Sequence, residues 1–248
     1  MSGHSKWHNI KVKKQKMDQV RGKLFSKFSR EISVIAKEGG SNPDANPRLR
    51  TAVDRARDAG MPNENIQRAI QRGAGELAGA TYETVIYEGY APGGVAILVE
   101  ALTDNRNRTA AEIRSLFTKN NGTMAEAGSV AWQFEKKGLI LVEKDKATED
   151  DLMLAALDAG AEDIRTTDEG YEVVTAQEDF FKVKTALEGK GIPLVSADIT
   201  MIAKTTQSVA GKEAQQVLRL VDVLEDHDDV QRVYSNFDIP SEILQQVG

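Results

Sequence analysis

The fold class of this chain is decided by ETVIYEGYAPGGVAILVEAL, residues 83–102. Two runs rich in β-branched, aromatic and aliphatic residues, 83–90 and 95–102, flank the turn sequence Ala91-Pro92-Gly93-Gly94, and this pattern is typical of a β-hairpin. Neither GxGxxG nor GxxxxGK[ST] is present, so we interpret residues 89–94 as a turn and not as a phosphate-binding loop. A sheet therefore begins here.

Before this hairpin, apolar residues recur at helical spacing in three stretches. The first stretch ends at Gly39-Gly40, the second opens with Asn46 as a cap and Pro47 at the first helical position, and the third follows Gly60. The residues expected in the helical core are Leu24, Phe28, Ile32, Ile35, Leu49, Ala52, Val53, Ala56, Ile66, Ala69 and Ile70.

After the hairpin, the periodicity predicts a helix over 107–120 and a strand over 130–134. The next elements follow the order βαββαβ, which is that of a ferredoxin-like unit. Its predicted elements are strand 139–142, helix 149–159, strands 163–166 and 171–175, helix 179–188 and strand 194–202. A helix over 212–225, a strand over 230–234 and a terminal helix near Ser241 complete the chain.

These elements predict a multidomain α+β protein: an N-terminal three-helix domain with a basic arm, then an α+β domain that carries an inserted ferredoxin-like domain. We place the arm and helical bundle at 1–75 and the discontinuous middle domain at 76–135 and 203–248. The inserted domain is placed at 136–202. The insertion follows from the last helix and strand, which can complete the sheet that the hairpin begins.

Charge is divided unevenly along the chain. Residues 1–72 contain 16 lysines and arginines against 7 acidic residues, whereas residues 73–248 contain 16 against 31. A basic segment joined to an acidic one favours binding to a polyanion such as nucleic acid. The alternative is a solvated face, but Asp18 is the only acidic residue among the first 30, beside nine lysines and arginines. The acidic remainder is expected to offer surfaces to protein partners.

The residues predicted to bind nucleic acid lie in the arm and the helical head. Trp7 either stacks on a base or packs the arm onto the helices, and the sequence favours neither. The predicted set is Lys6, Trp7, Lys11, Lys13, Lys14, Lys16, Arg21, Lys23, Lys27, Arg30, Arg48, Arg50 and Arg55.

Two polar runs have alternative interpretations. Residues 104–109 precede a helix, and we favour an ordinary cap by Asp104 or Asn105 over an anion site, with RNA or partner contact by Arg106 and Arg108 left open. The acidic run 225–229 is interpreted as the solvated end of a helix, not as a set of metal ligands.

Other function classes lack sequence support. The chain has no cysteine and three histidines; His4 and His8 are four residues apart but have no third ligand nearby, so phosphate or base contact is a better interpretation than metal binding. No nucleophile, base and orienting group can be assembled, so we expect no enzyme, catalytic residue, metal or cofactor. With no secretory signal and no apolar run near 20 residues, we expect a cytoplasmic protein without membrane contact, its oligomeric state open.

Six blocks of sequence, in order, resemble the YebC/PmpR family of probable transcriptional regulatory proteins. They are MSGHSKW (1–7), RGKLFSK (21–27), NPRLR (46–50), YEGYAPGG (87–94), TDNRNRT (103–109) and GSVAW (128–132). The resemblance implies a helical domain and two α+β domains, the third inserted into the second. It also implies DNA-binding regulation of transcription, although relatives in bacteria and mitochondria are described as ribosome-associated translation factors, some of which relieve stalling at proline-rich stretches.

We therefore expect a non-enzymatic DNA-binding transcriptional regulator, with a ribosome- or RNA-associated translational activator as the alternative. Phosphate neutralisation supplies much of the affinity for either nucleic acid, so charge alone does not distinguish them. No helix-turn-helix signature with base-reading side chains is evident, so specificity would come from arm insertion or DNA shape. A pure protein scaffold would leave the basic head unexplained.

Overall fold

The computed structural model describes residues 21–167 and 169–239. The arm residues Lys6, Trp7, Lys11, Lys13, Lys14 and Lys16, with His4 and His8, lie outside them, as does the predicted terminal helix near Ser241. Among the described residues the chain mixes helices and mostly antiparallel sheets, which confirms the α+β class.

Three helices form the N-terminal head: α1 (Arg21–Gly39), α2 (Pro47–Asp58) and α3 (Asn63–Gly73). The Asn46 side chain accepts from the amide of Leu49, with Pro47 at the start of α2, which confirms the predicted cap. Phe28, Ile32, Ile35 and the predicted apolar residues of α2 and α3 form one core, with Leu24 packed at its edge. Gly73 lets α3 approach α1, because a Cβ there would collide with the carbonyl oxygen of Ser33.

The first sheet has the strand order β3-β1-β2-β9. The predicted hairpin is confirmed as β1 (Glu83–Tyr90) and β2 (Ala96–Thr103). The short strand β3 (Thr123–Ala125) borders β1, and β9 (Val230–Ser235) borders β2. Two helices, α4 (Arg106–Lys119) and α7 (Gly211–Glu225), share one apolar core with this sheet.

The second sheet has the order β5-β6-β4-β7, and its elements follow the chain as βαββαβ. Two helices, α5 and α6, share a core with its strands. The elements are β4 (Phe134–Glu143), α5 (Glu149–Asp158), β5 (Ala161–Thr166), β6 (Gly170–Thr175), α6 (Phe180–Gly189) and β7 (Ser196–Ala203). The ferredoxin-like assignment and the domain boundaries remain predictions.

The chain returns to the first sheet only after the second is complete. β9 pairs antiparallel with β2, about 130 residues away in sequence, and the two-residue strands β8 (Gln207–Ser208) and β10 (Phe237–Asp238) pair in parallel nearby. We refer below to residues 83–239 as the body.

The predicted strand over 130–134 is wrong. Residues Ala131–Gln133 form a short 3-10 helix, and the strand begins only at Phe134. The buried carboxylate of Glu88 accepts hydrogen bonds from the amides of Gly128, Val130 and Ala131. Those amides are therefore not available to a β-ladder, and the segment turns instead.

Candidate nucleic-acid interface

The structure separates the predicted cations of the head into two sets. Lys23, Lys27, Arg30 and Arg55 contact the body and are called the inner set. Arg48 and Arg50 bond only residues of the head itself; together with Arg57, which does the same, they are called the outer set. Arg21 begins α1, and the position of its side chain is not described.

Three cations of the inner set lie on one stripe of α1, at positions i, i+4 and i+7. Lys23 Nζ donates to the carbonyl of Asp226 at 2.9 Å, Lys27 donates to the carbonyl of Glu225, and Arg30 donates to that of Asp228. These carbonyls belong to the C-terminal end of α7 and the turn after it. Free carbonyls and the negative end of the helix dipole attract cations, so this stripe caps α7.

Asp229 is the buried centre of the same contact, with 4% of its surface exposed. Oδ1 accepts from Arg30 at 2.9 Å, and Oδ2 accepts from Arg108 at 2.6 Å and from Thr109 Oγ1 at 2.7 Å. Burial opposes its ionisation, but these hydrogen bonds and the two guanidinium charges outweigh burial and lower the pKa of Asp229. The ionised carboxylate therefore ties α1 of the head to α4 of the body.

A second ionic contact joins the head to both sheets. Arg55 of α2 donates to Glu31 of α1 at 3.2 Å and to Asp198 of β7 at 3.4 Å. Arg232 of β9 donates to the same Glu31 at 3.3 Å and to the carbonyl of Ile199 at 3.1 Å. Burial lowers the pKa of Arg232, but the surrounding negative charge, Glu31 foremost, raises it above the ordinary value. We call these two contacts together the seam.

The outer set makes only exposed ion pairs. Arg48 pairs with Glu38 at 3.2 Å, Arg50 with Asp44 at 3.7 Å and Arg57 with Asp54 at 3.4 Å, and each arginine side chain is more than half exposed. Such pairs contribute between nothing and about 1 kcal/mol and are screened by salt. A phosphate can replace the carboxylate partner of each without loss of buried structure.

The run 104–109 acts as a helix cap, as favoured from the sequence. Asn105 accepts from the amide of Arg108 at 3.1 Å. Arg108 is bound to Asp104 and Asp229, and Thr109 is buried against Thr103 and Asp229. The Arg106 side chain is 64% exposed and pairs with Glu83 at 3.7 Å, so it is more accessible than that of Arg108, which is 44% exposed.

The interpretation of 225–229 as a solvated helix end is wrong for Asp229. Its carboxylate is buried, and the carbonyls before it accept from the head. Glu112, His227 and Asp229 also bring one possible metal-ligand atom each within 4.8 Å. However, His227 Nε2 bonds Glu112 at 2.9 Å, its Nδ1 accepts from the amide of Asp229, and both oxygens of Asp229 have donors. The protein itself satisfies these atoms, and we assign no metal to them.

Comparison with known proteins agrees with the element order. The family model described as "TACO1/YebC protein N-terminal domain" matches residues 5–76, and "TACO1/YebC second and third domain" matches residues 82–237. The chain belongs to the TACO1/YebC family. This confirms the resemblance noted from the six sequence blocks.

Individual relatives cover nearly the whole chain. It is 55% identical to a probable transcriptional regulatory protein of Dictyoglomus turgidum, over 100% of both chains. It is 57% identical to one of Carboxydothermus hydrogenoformans, over 96% of this chain and 99% of that protein. The crystal structure of a conserved hypothetical protein from Aquifex aeolicus superposes with a TM-score of 0.84 at 50% identity, covering 93% of this chain and 96% of that one.

Among the described residues, no helix combines the length and the apolar character needed to cross a bilayer.

Sequence reasoning did not find Asp229, Arg232, Glu31 and Asp198 as the residues that join head and body. The partners of these four residues are distant in sequence, so no spacing rule relates them.

Proposed function

We propose that this protein is a non-enzymatic DNA-binding regulator of transcription that contacts duplex phosphates with its basic arm and the outer set of the head. The observation that carries the proposal is the charge division, 16 cations against 7 acids in residues 1–72 and the reverse imbalance behind them. The relatives named as probable transcriptional regulatory proteins support it.

The different partners of the two sets of cations support a division of roles between them. Arg48, Arg50 and Arg57 can exchange exposed carboxylate partners for phosphates at small cost. Lys23, Lys27, Arg30 and Arg55 can reach a phosphate only by leaving their partners on the body. The proposal therefore assigns the inner set to positioning the head and the outer set, with the arm lysines, to binding.

The acidic body limits how the nucleic acid approaches. Residues 83–239 carry 29 acidic residues against 16 basic ones, and like charges repel a duplex over about a Debye length, roughly 8 Å at physiological salt. The duplex is thereby directed to the head. The body keeps its surface for protein partners of the transcription machinery.

The test is binding of labelled duplex DNA at several salt concentrations, with one variant and a control. Replacing Lys11, Lys13, Lys14 and Lys16 together by Ala should reduce the salt slope by up to about 0.9 for each phosphate that the arm no longer binds. The control replaces Lys182 and Lys190, two exposed lysines of the body, by Ala and should leave the slope unchanged. An unchanged slope in the arm variant would contradict the proposal.

Binding to DNA in vitro does not by itself establish regulation, so the cellular target needs its own experiment. Chromatin immunoprecipitation should recover promoter DNA with this protein. Sucrose-gradient sedimentation of native lysate, with and without RNase, examines the alternative. Migration with ribosomal particles that RNase abolishes, together with no promoter enrichment, would replace the transcriptional proposal with a ribosome-associated translation factor.

A further inference from the structure

Trp132 is the most exposed large apolar side chain among the described residues, with 66% of its surface accessible. It belongs to the 3-10 helix Ala131–Gln133, between β3 and β4 of the body. An indole buries a large apolar area wherever a surface is available. The Trp132 ring stays exposed because the loop that carries it is held in one conformation.

The loop is fixed by one buried carboxylate. Glu88, 5% exposed, accepts from the amides of Gly128 at 2.7 Å, Val130 at 2.6 Å and Ala131 at 2.8 Å. Burial opposes ionisation of Glu88, but the three amide donors outweigh it and lower its pKa. Three charge-assisted hydrogen bonds to one side chain leave the backbone on either side of Ser129 little freedom.

The indole ring is oriented by its own hydrogen bond. Trp132 Nε1 donates to the carbonyl of Ser129 at 3.0 Å, and the hydroxyl of Tyr90 donates to the same oxygen at 3.0 Å. The polar atom of the indole is therefore already used within the protein. What the ring offers to a partner is its π face, held in place before any partner arrives.

Two lysines lie close to Trp132 along the chain or across the pairing of β4 with β7: Lys136 is on β4, and Lys204 directly follows the end of β7. The amide of Lys204 donates to the carbonyl of Gln133 at 2.8 Å, which places Lys204 beside the residue after Trp132. Lys136 follows on β4, paired with Met201 of β7. Both are exposed, and within the described residues neither makes an ion pair, whereas Lys137 is neutralised by Glu135 and Glu162.

We propose that Trp132, with Lys136 and Lys204, is a binding site for a single-stranded nucleic acid, in which an unpaired base stacks on the indole and the lysines contact the flanking phosphates. Proteins that bind single strands without sequence preference combine aromatic side chains, on which bases stack, with cations that contact the backbone. Stacking contributes about 1 to 3 kcal/mol per base. The site is on the body and does not depend on the head.

A protein partner would fit this surface less well. Hot spots of protein interfaces pair a central aromatic anchor with a packed, water-excluding surround. The exposed residues that flank Trp132 in sequence are Glu126, Ala127, Gly128, Glu135 and Lys136, which are polar or small. An isolated ring among such residues gives a base one face to stack on, but gives a protein little apolar area to bury.

Tryptophan fluorescence tests this site, because the chain has only two tryptophans. In a Trp7→Phe background Trp132 is the only tryptophan, and excitation at the long-wavelength edge of indole absorption selects its emission over that of the tyrosines. Titration with a dT12 oligonucleotide should quench it to saturation, since stacking quenches indole fluorescence, while an abasic 12-mer of equal charge should not. Equal quenching by both, or by neither, would overturn the proposal. Comparison of dT12 with rU12 then shows whether DNA or RNA is preferred.

Variants separate stacking from charge and from folding. Trp132→Leu should weaken dT12 binding by roughly tenfold, the equivalent of about 1.4 kcal/mol, and Trp132→Phe should restore most of it, both measured by anisotropy of labelled oligonucleotide. Leu154→Ala is the matched control, because Leu154 is 65% exposed on α5, and it should have no effect. Unaltered dT12 affinity in Trp132→Leu, with circular dichroism unchanged, would overturn the proposal.

One variant distinguishes a failure of the Trp132 site from a failure of the proposed duplex contact. Replacement of the four arm lysines by Ala in the Trp7→Phe background should weaken duplex binding but retain the quenching of Trp132 by dT12. Loss of quenching in this variant would place the single-strand contact in the arm and overturn the body site, whatever the duplex result.

Discussion

The inner and outer cations of the head differ in their partners, although their sequence contexts are similar. Arg30 and Arg50 both lie on helices beside an apolar stripe, yet Arg30 bonds the buried Asp229 of the body and Arg50 pairs with Asp44, whose side chain is 94% exposed. The difference is in the acceptor. A cation facing a buried carboxylate becomes part of the fold, whereas a cation facing an exposed one stays available to a ligand.

The comparison also explains how a basic head stays attached to an acidic body. The C-terminal end of α7 offers carbonyls and a negative dipole, and α1 brings three cations to it. The charge that we propose to attract nucleic acid and the charge that docks the head are thus drawn from one helical domain. What separates them is whether the partner of each cation lies in the body or in the head itself.

The largest expected effect is that of Asp229→Asn. It removes the only carboxylate that Arg30 bonds among the described residues and leaves Arg108 with exposed carboxylates alone, so we expect the free energy of unfolding to fall by roughly 2 to 4 kcal/mol. Urea denaturation at pH 7 measures it. The control is Asp228→Asn, because the Asp228 side chain is 67% exposed, and its expected effect is below about 0.5 kcal/mol. Equal effects of the two variants would break the distinction between buried and exposed acceptors.

Acid should remove the difference in the free energy of unfolding between Asp229→Asn and the native chain. The folded pKa of Asp229 is lowered, so its stabilising contribution is fully present above the pKa of the unfolded chain, about 3.9. It is lost as pH falls through the folded pKa. Denaturation of both proteins from pH 7 down to pH 2.5 should show the gap narrowing below about pH 4. A gap constant with pH would mean that Asp229 acts through packing and not through its charge.

Glu88→Gln tests whether a buried carboxylate outside the seam also stabilises the fold, as Asp229 is expected to do. The amide oxygen cannot replace two carboxylate oxygens that accept from three backbone donors, so we expect a loss of roughly 1 to 3 kcal/mol. Trp132 emission in a Trp7→Phe background should also change, because its loop is released. Glu126→Gln, at an exposed position in the same segment, is the control, and a similar loss in both would contradict this account of the loop.

The smallest change in stability is expected in the outer set. Replacing Arg48 and Arg50 by Ala removes two exposed ion pairs, so unfolding should shift by about 0.5 kcal/mol or less. The slope of log affinity for duplex DNA against log salt should fall by up to about 1.8, which corresponds to two bound phosphates. Lys23→Ala is the matched variant of the inner set and should leave that slope unchanged. A lower slope in Lys23→Ala together with an unchanged slope in the Arg48 and Arg50 variant would exchange the roles of the inner and outer sets.

Prediction from sequence succeeded where the relevant contacts are local. The cap at Asn46, the apolar stripes of α1 to α3 and the hairpin at Pro92 each depend on residues within a few positions of one another. It failed at residues 130–133, because the acceptor that draws those amides into a turn, Glu88, is about 40 residues away. Strands of two or three residues, such as β3, carry too little periodicity to be recognised.

The sequence by itself determined the α+β class, the position of the basic head, the family and the order βαββαβ, since all of these are expressed in spacing, composition or motif. Only the tertiary structure decided which cations are free to bind. Arg30 and Arg50 have similar neighbours in the sequence. Asp229 is buried against Arg30 because β9, which follows Asp229, returns to pair with β2. Desolvation is a property of the folded neighbourhood, so the availability of a charge cannot be inferred from its neighbours in sequence.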